Sequence, residues 1–88
     1  MMSRIVITDR LVNLLRQMRE HGFVTRRTQK LYSSLQFYLI IWDLRNKGVV
    51  TETGFYNGNK KWSLTEKGEK FLEMIECLKR IVEGKNEG

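Results

Sequence analysis

The chain has 88 residues, of which 41% are hydrophobic and 30% charged, and sixteen Lys and Arg against ten Asp and Glu give a net charge of +6. That length allows one domain with a small core, and that hydrophobic content excludes a disordered chain. No apolar run reaches the ~18–20 residues of a membrane span, and a single cysteine cannot build a disulfide framework, so an unstapled cytoplasmic domain spanning residues 1–88 is expected. The charge is unevenly spread: residues 1–65 hold eleven basic side chains against four acidic ones, whereas residues 66–88 hold five against six. A basic body suits a polyanionic partner, and the near-neutral end suits another task.

In chain order, Ile5-Val6-Ile7 is too short to assign as strand or arm. Leu11, Leu14, Leu15 and Met18 then recur at the spacing of an amphipathic helix. Thr8-Asp9 offers a cap and His21-Gly22 a stop, so the first helix is expected over residues 9–21. The polar segment VTRRTQKLY (24–32) allows only a short helix anchored by Val24, Leu31 and Tyr32. Ser33-Ser34 caps the next helix, which buries Phe37, Ile40, Ile41 and Leu44 and ends at Lys47-Gly48. Helix, short helix, serine turn and helix over residues 25–47 fit a helix-turn-helix.

Val49-Val50-Thr51 and Lys61-Trp62-Ser63-Leu64 are β-prone, and Asn57-Gly58 between them is the preferred chemistry of a tight hairpin, giving a two-stranded ribbon over residues 49–64. Thr65 caps a last helix over residues 65–84. Its seam is Phe71, Ile75, Leu78 and Val82, widened by Leu72, Met74 and Ile81. The order helix–helix–helix–strand–strand–helix makes the fold α+β, and a lone ribbon is stable only against the helices.

The stretches LRNKGVV and WSLTEKGEKFL, separated by a hairpin, resemble the winged-helix DNA-binding domains of MarR- and PadR-like transcriptional regulators. The resemblance covers roughly residues 9–75, and LTEKG directly after a hairpin is its most specific part. It implies a winged helix-turn-helix: a three-helix core, a β-hairpin wing and a C-terminal dimerisation helix. It also implies sequence-specific binding of double-stranded DNA by a homodimer acting in transcription regulation.

Under that resemblance, Arg26, Arg27 and Lys30 on the short second helix are expected along the phosphate backbone, with Lys60 and Lys61 projecting from the wing. Such contacts give affinity without sequence information. Ser34, Gln36 and Tyr38, early in the third helix, are the candidates for base edges, since Gln can pair bidentately with adenine and a hydroxyl serves almost any base. Phe71, Ile75, Leu78 and Val82 are the expected dimer interface, because one small domain can cover only the first turns of that helix.

One pattern departs from a DNA-reading helix. Leu35, Tyr38, Leu39 and Trp42 fall opposite Phe37, Ile40 and Leu44, where polar groups are usual. Burial by neighbouring helices, contact with thymine methyls or sugars, and a protein-binding patch at Leu35, Leu39 and Trp42 each account for it. The last account supports a different function, a winged-helix protein–protein interaction module in a transcription or nucleic-acid complex.

Catalysis finds no support in the residues. One histidine, His21, and one cysteine, Cys77, cannot build a Cys/His metal cluster or a His-dependent triad, and no phosphate-binding glycine loop occurs. No metal and no cofactor is expected. His21 suits the end of a helix, and Cys77 a small apolar position.

Overall fold

A computed structural model of the chain describes residues 6–83. Its elements are α1 (Asp9–His21), α2 (Ser34–Asn46), β1 (Val50–Tyr56), β2 (Asn59–Leu64) and α3 (Glu66–Glu83). The fold is α+β, three helices and one antiparallel hairpin. Val6 and Ile7 are exposed and outside any regular element, whereas Ile5 and the last expected helical residue, Gly84, lie outside the described residues.

Each helix begins where a hydroxyl can replace a missing backbone acceptor. Thr8 Oγ1 accepts from the Leu11 N–H at 3.1 Å, Ser33 Oγ from Gln36 at 3.3 Å, and Thr65 Oγ1 from Gly68 at 2.9 Å. Gly22 ends α1 at φ 88°, a left-handed geometry that glycine adopts without a Cβ penalty, and its N–H bonds Met18 O at 2.8 Å.

The expected short helix within residues 24–32 does not form. A single turn over residues 26–28 replaces it, because side chains capture the donors that a helix would use. Thr25 Oγ1 accepts from the N–H groups of Arg27 and Thr28, and Thr28 Oγ1 accepts from Thr25 N–H at 2.8 Å. The buried Gln29 then closes the segment. Its Oε1 accepts from Leu31 and Tyr32 N–H groups, and its Nε2 donates to the Arg26 and Tyr32 carbonyls. The helical core is therefore two helices joined by a cross-bonded turn, with α3 added from the far end of the chain.

The hairpin turns at Asn57-Gly58, where both residues have positive φ, 52° and 80°. That is the pair of conformations a two-residue reversal between twisted strands needs. Glu52 pairs with Trp62 but Phe55 with Lys60, so β1 carries one extra residue, a bulge at Thr53-Gly54. On the other edge of β2, Val24 and Trp62 exchange both backbone hydrogen bonds, at 2.9 and 2.8 Å, which ties the start of the turn into the sheet.

One core unites these parts. Leu11, Val12, Leu14, Leu15 and Met18 of α1 meet Phe37, Ile41 and Leu44 of α2, Val24, Val50 and Trp62 of the sheet, and Leu72 and Ile75 of α3. Ile40, expected inside, is only half-buried. At the rim, Glu76 bridges Arg16 and Arg19 at 2.8 and 2.9 Å, and Lys79 bonds Asp9 at 2.8 Å, fastening α3 along α1. Among the described residues no helix is long and apolar enough to cross a membrane.

Candidate nucleic-acid interface

The turn after α1 gathers the densest basic cluster. Thr25 and Gln29 are buried and bonded into the backbone, so between and beside them Arg27 and Lys30 are held exposed and Arg26 half-buried on a rigid support. Arg26 and Arg27 lie on a turn and Lys30 just after it rather than on a helix, a correction that follows from the hydrogen bonds above. Two shallow grooves meet there. Arg26, Arg27 and Thr28 face the hairpin tip, residues 56–59, across one; Arg26, Arg27, Gln29 and Lys30 run to Ser34 at the start of α2 along the other. The two arginines thus stand between the hairpin tip and the amino end of α2. Arg26 Nε is enclosed and has no acceptor among the described residues, so its donor remains unused within the fold.

The two hairpin lysines, Lys60 and Lys61, do not stand as a pair. Successive residues of a strand point to opposite faces. Lys60 Nζ lies 3.2 Å from Glu52 Oε2 on the face shared with Trp62, while Lys61 Nζ sits 4.9 Å above the Phe23 ring on the other. Phe23 also packs on Tyr56, ring centroids 5.3 Å apart, so an aromatic pair covers part of that face of the hairpin. Of the two lysines, Lys60 is the more exposed, and Lys61 is folded back rather than projecting.

Ser34, Gln36 and Tyr38 are all exposed on α2, but they do not share a face. Ser34 and Tyr38 are one turn apart and stand together; Gln36, two residues from each, points about 200° away around the helix. The three therefore do not form one patch. Directly opposite the core, Leu35, Leu39 and Trp42 are 71%, 63% and 52% exposed, so burial by neighbouring helices does not account for them. The Arg45 guanidinium lies 5.1 Å over the Trp42 ring.

The expected dimer seam divides in two. Ile75 is buried in the protein's own core and is not available to a second chain, and Phe71 is half-buried against the same core. Leu78 and Val82 are exposed, as are Met74 and Ile81.

Sequence reasoning missed Thr25, Thr28 and Gln29, the residues that shape the basic turn. Their signal was the hydroxyl pair three residues apart followed by a Gln, a pattern of local side-chain to backbone bonding. It also missed Glu76, whose carboxylate the hydrogen bonds of Arg19 and Arg16 pull from 4.5 down to about 2. No group of three or more His, Cys, Asp or Glu side chains is arranged to hold a metal among the described residues. Comparison of the chain with known protein families, with curated proteins and with solved structures gives no match.

Proposed function

We propose that the protein is a winged-helix, sequence-specific double-stranded DNA-binding regulator of transcription that acts as a homodimer. The observation that carries this reading is the continuous polar surface from the hairpin tip through Arg26 and Arg27 to Lys30 and Ser34. A row of basic side chains along this surface suits what a phosphate backbone offers, a row of anions. The basic excess of residues 1–65 adds a long-range field of the right sign. Base readout falls to Ser34 and Tyr38 on one side of α2 and to Gln36 on the other flank, while Lys60 adds a phosphate contact from the wing. Two copies joined through α3 would present two such surfaces to related half-sites.

The exposure of Leu35, Leu39 and Trp42 favours a second reading, in which this α2 face docks a protein partner within a nucleic-acid complex. Selection of bound sequences from a random double-stranded pool at physiological salt separates the two. The first reading expects an enriched motif with two related half-sites. Binding that vanishes with salt and enriches nothing removes sequence-specific regulation and leaves the docking reading.

A further inference from the structure

The two sides of α3 do different work. Leu72 and Ile75 turn into the core, with Glu76 and Lys79 bonded to α1 beside them. Roughly 100° further around the helix, by its 3.6-residue turn, Phe71, Met74, Leu78 and Ile81 recur at three- and four-residue steps, with Val82 alongside. Phe71 is half-buried, and the other four are 58–66% exposed. Apolar side chains at this spacing form the seam of a helix pair, and here the seam already adjoins the protein's own core through Phe71 and Ile75.

The spacing is also palindromic. Phe71 and Ile81 are equally distant from residue 76, and so are Met74 and Leu78. Reversing the helix on itself therefore sets apolar against apolar at every step. We infer that α3 pairs antiparallel with α3 of a second copy about a two-fold axis level with residue 76, Phe71 packing on the partner's Ile81 and Met74 on the partner's Leu78. This rests on the homodimer of the proposed function and adds its orientation.

Two physical arguments favour this occupant. Covering the five side chains in both copies removes on the order of 1,000 Å² of surface, the lower edge of specific interfaces. Topology selects the direction: β2 leads through Thr65 straight into α3, so a parallel pair would crowd both wings at one end. The antiparallel pair sets them at opposite ends, leaving both basic surfaces accessible.

The test uses the full chain with Cys77→Ser as background, so that introduced thiols are the only ones. Sedimentation equilibrium should give a dimer, and Leu78→Glu should raise its dissociation constant about 100-fold or more, because each copy would bury a carboxylate in the seam. Circular dichroism of that variant should remain that of the folded chain, Leu78 being exposed in the single copy. A mixture of Met74→Cys and Leu78→Cys chains should oxidise to the mixed disulfide, whereas Ile81→Cys alone should not link, since its two copies would stand about 15 Å apart along the helices. A disulfide between two Ile81→Cys chains would mean a parallel pair and overturn the inference while keeping the homodimer. A dimer indifferent to Leu78→Glu would place the interface elsewhere and overturn it equally. A monomeric wild type at tens of micromolar would overturn both the orientation and the homodimer, and DNA selection would then judge the binding reading by itself.

Discussion

Gly68, in the first turn of α3, lies so close to the Val49 carbonyl that a Cβ built on it would stand 2.0 Å from that oxygen. Thr65 completes the clasp. Its N–H bonds Val49 O at 3.1 Å, and its hydroxyl bonds the carbonyls of Gly48 and Val49. The KGVV that follows α2 and the LTEKG that opens α3 are therefore two halves of one backbone junction. This explains why the two stretches occur together without reference to any ligand.

Gly68→Ala tests the junction. In an open helix the change would stabilise by roughly 1 kcal/mol. Here it should destabilise by about 2–4 kcal/mol, because the clashing atom is backbone and cannot swing aside. Urea denaturation measures the difference. A neutral or stabilising result would show that α3 can lift off Val49 freely.

Gln29→Ala should cost about 2–4 kcal/mol, since it leaves the N–H groups of Leu31 and Tyr32 and two carbonyls without their partner inside the fold. DNA affinity should fall with it, because Arg26 and Lys30 would no longer be held in place. Thermal unfolding and binding by the same sample check both. Unchanged stability would mean that water replaces the Gln29 amide without penalty.

Arg26→Ala with Arg27→Ala should leave stability within about 0.5 kcal/mol and weaken binding to all DNA sequences equally. The slope of log K against log salt should shrink by roughly 0.9 for each phosphate no longer neutralised. Lys61→Ala should move that slope less than Lys60→Ala, Lys61 being folded over Phe23. Fluorescence anisotropy across a salt series reads all three, and a slope unmoved by the double change takes the arginines out of the interface.

Glu76 gives the fold a pH dependence. Its carboxyl titrates near 4.5 when free of the fold and at about 2 within it, first through the Arg19 hydrogen bond and then through that of Arg16. A depressed folded pKa stabilises fully above 4.5 and loses its effect as pH falls towards about 2. Because both arginines are partly solvated, the contribution is about 1–2 kcal/mol rather than the full charge-pair value. Glu76→Gln should therefore destabilise by that amount at pH 7 and match the wild type near pH 2. Chemical denaturation at a series of pH values decides it; equal stabilities throughout would dismiss the pair as a solvated surface bridge of no consequence.

Leu39→Gln with Trp42→Gln should change stability by no more than about 0.5 kcal/mol, since both side chains are more than half exposed. If α2 docks a protein rather than DNA, the double variant should keep the wild-type salt slope and affinity for DNA. A loss of sequence preference in this variant would instead put the apolar face against bases.

The elements whose cause is local were legible in the amino-acid order. Apolar periodicity and hydroxyl caps set α1, α2 and α3, and Asn57-Gly58 set the hairpin, because these signals act within a few residues. The same locality misled at residues 24–32: a weak helix pattern competed with Thr25, Thr28 and Gln29, and only the geometry of their hydrogen bonds shows the side chains winning. Which faces remain open depends on the assembled fold. Leu39 and Phe37 are both strongly apolar in sequence, as are Ile75 and Leu78, yet one of each pair meets another element and the other meets solvent. Periodicity shows that a helix has an apolar arc; how much of that arc the rest of the chain covers depends on where α1, the sheet and α2 come to rest against it.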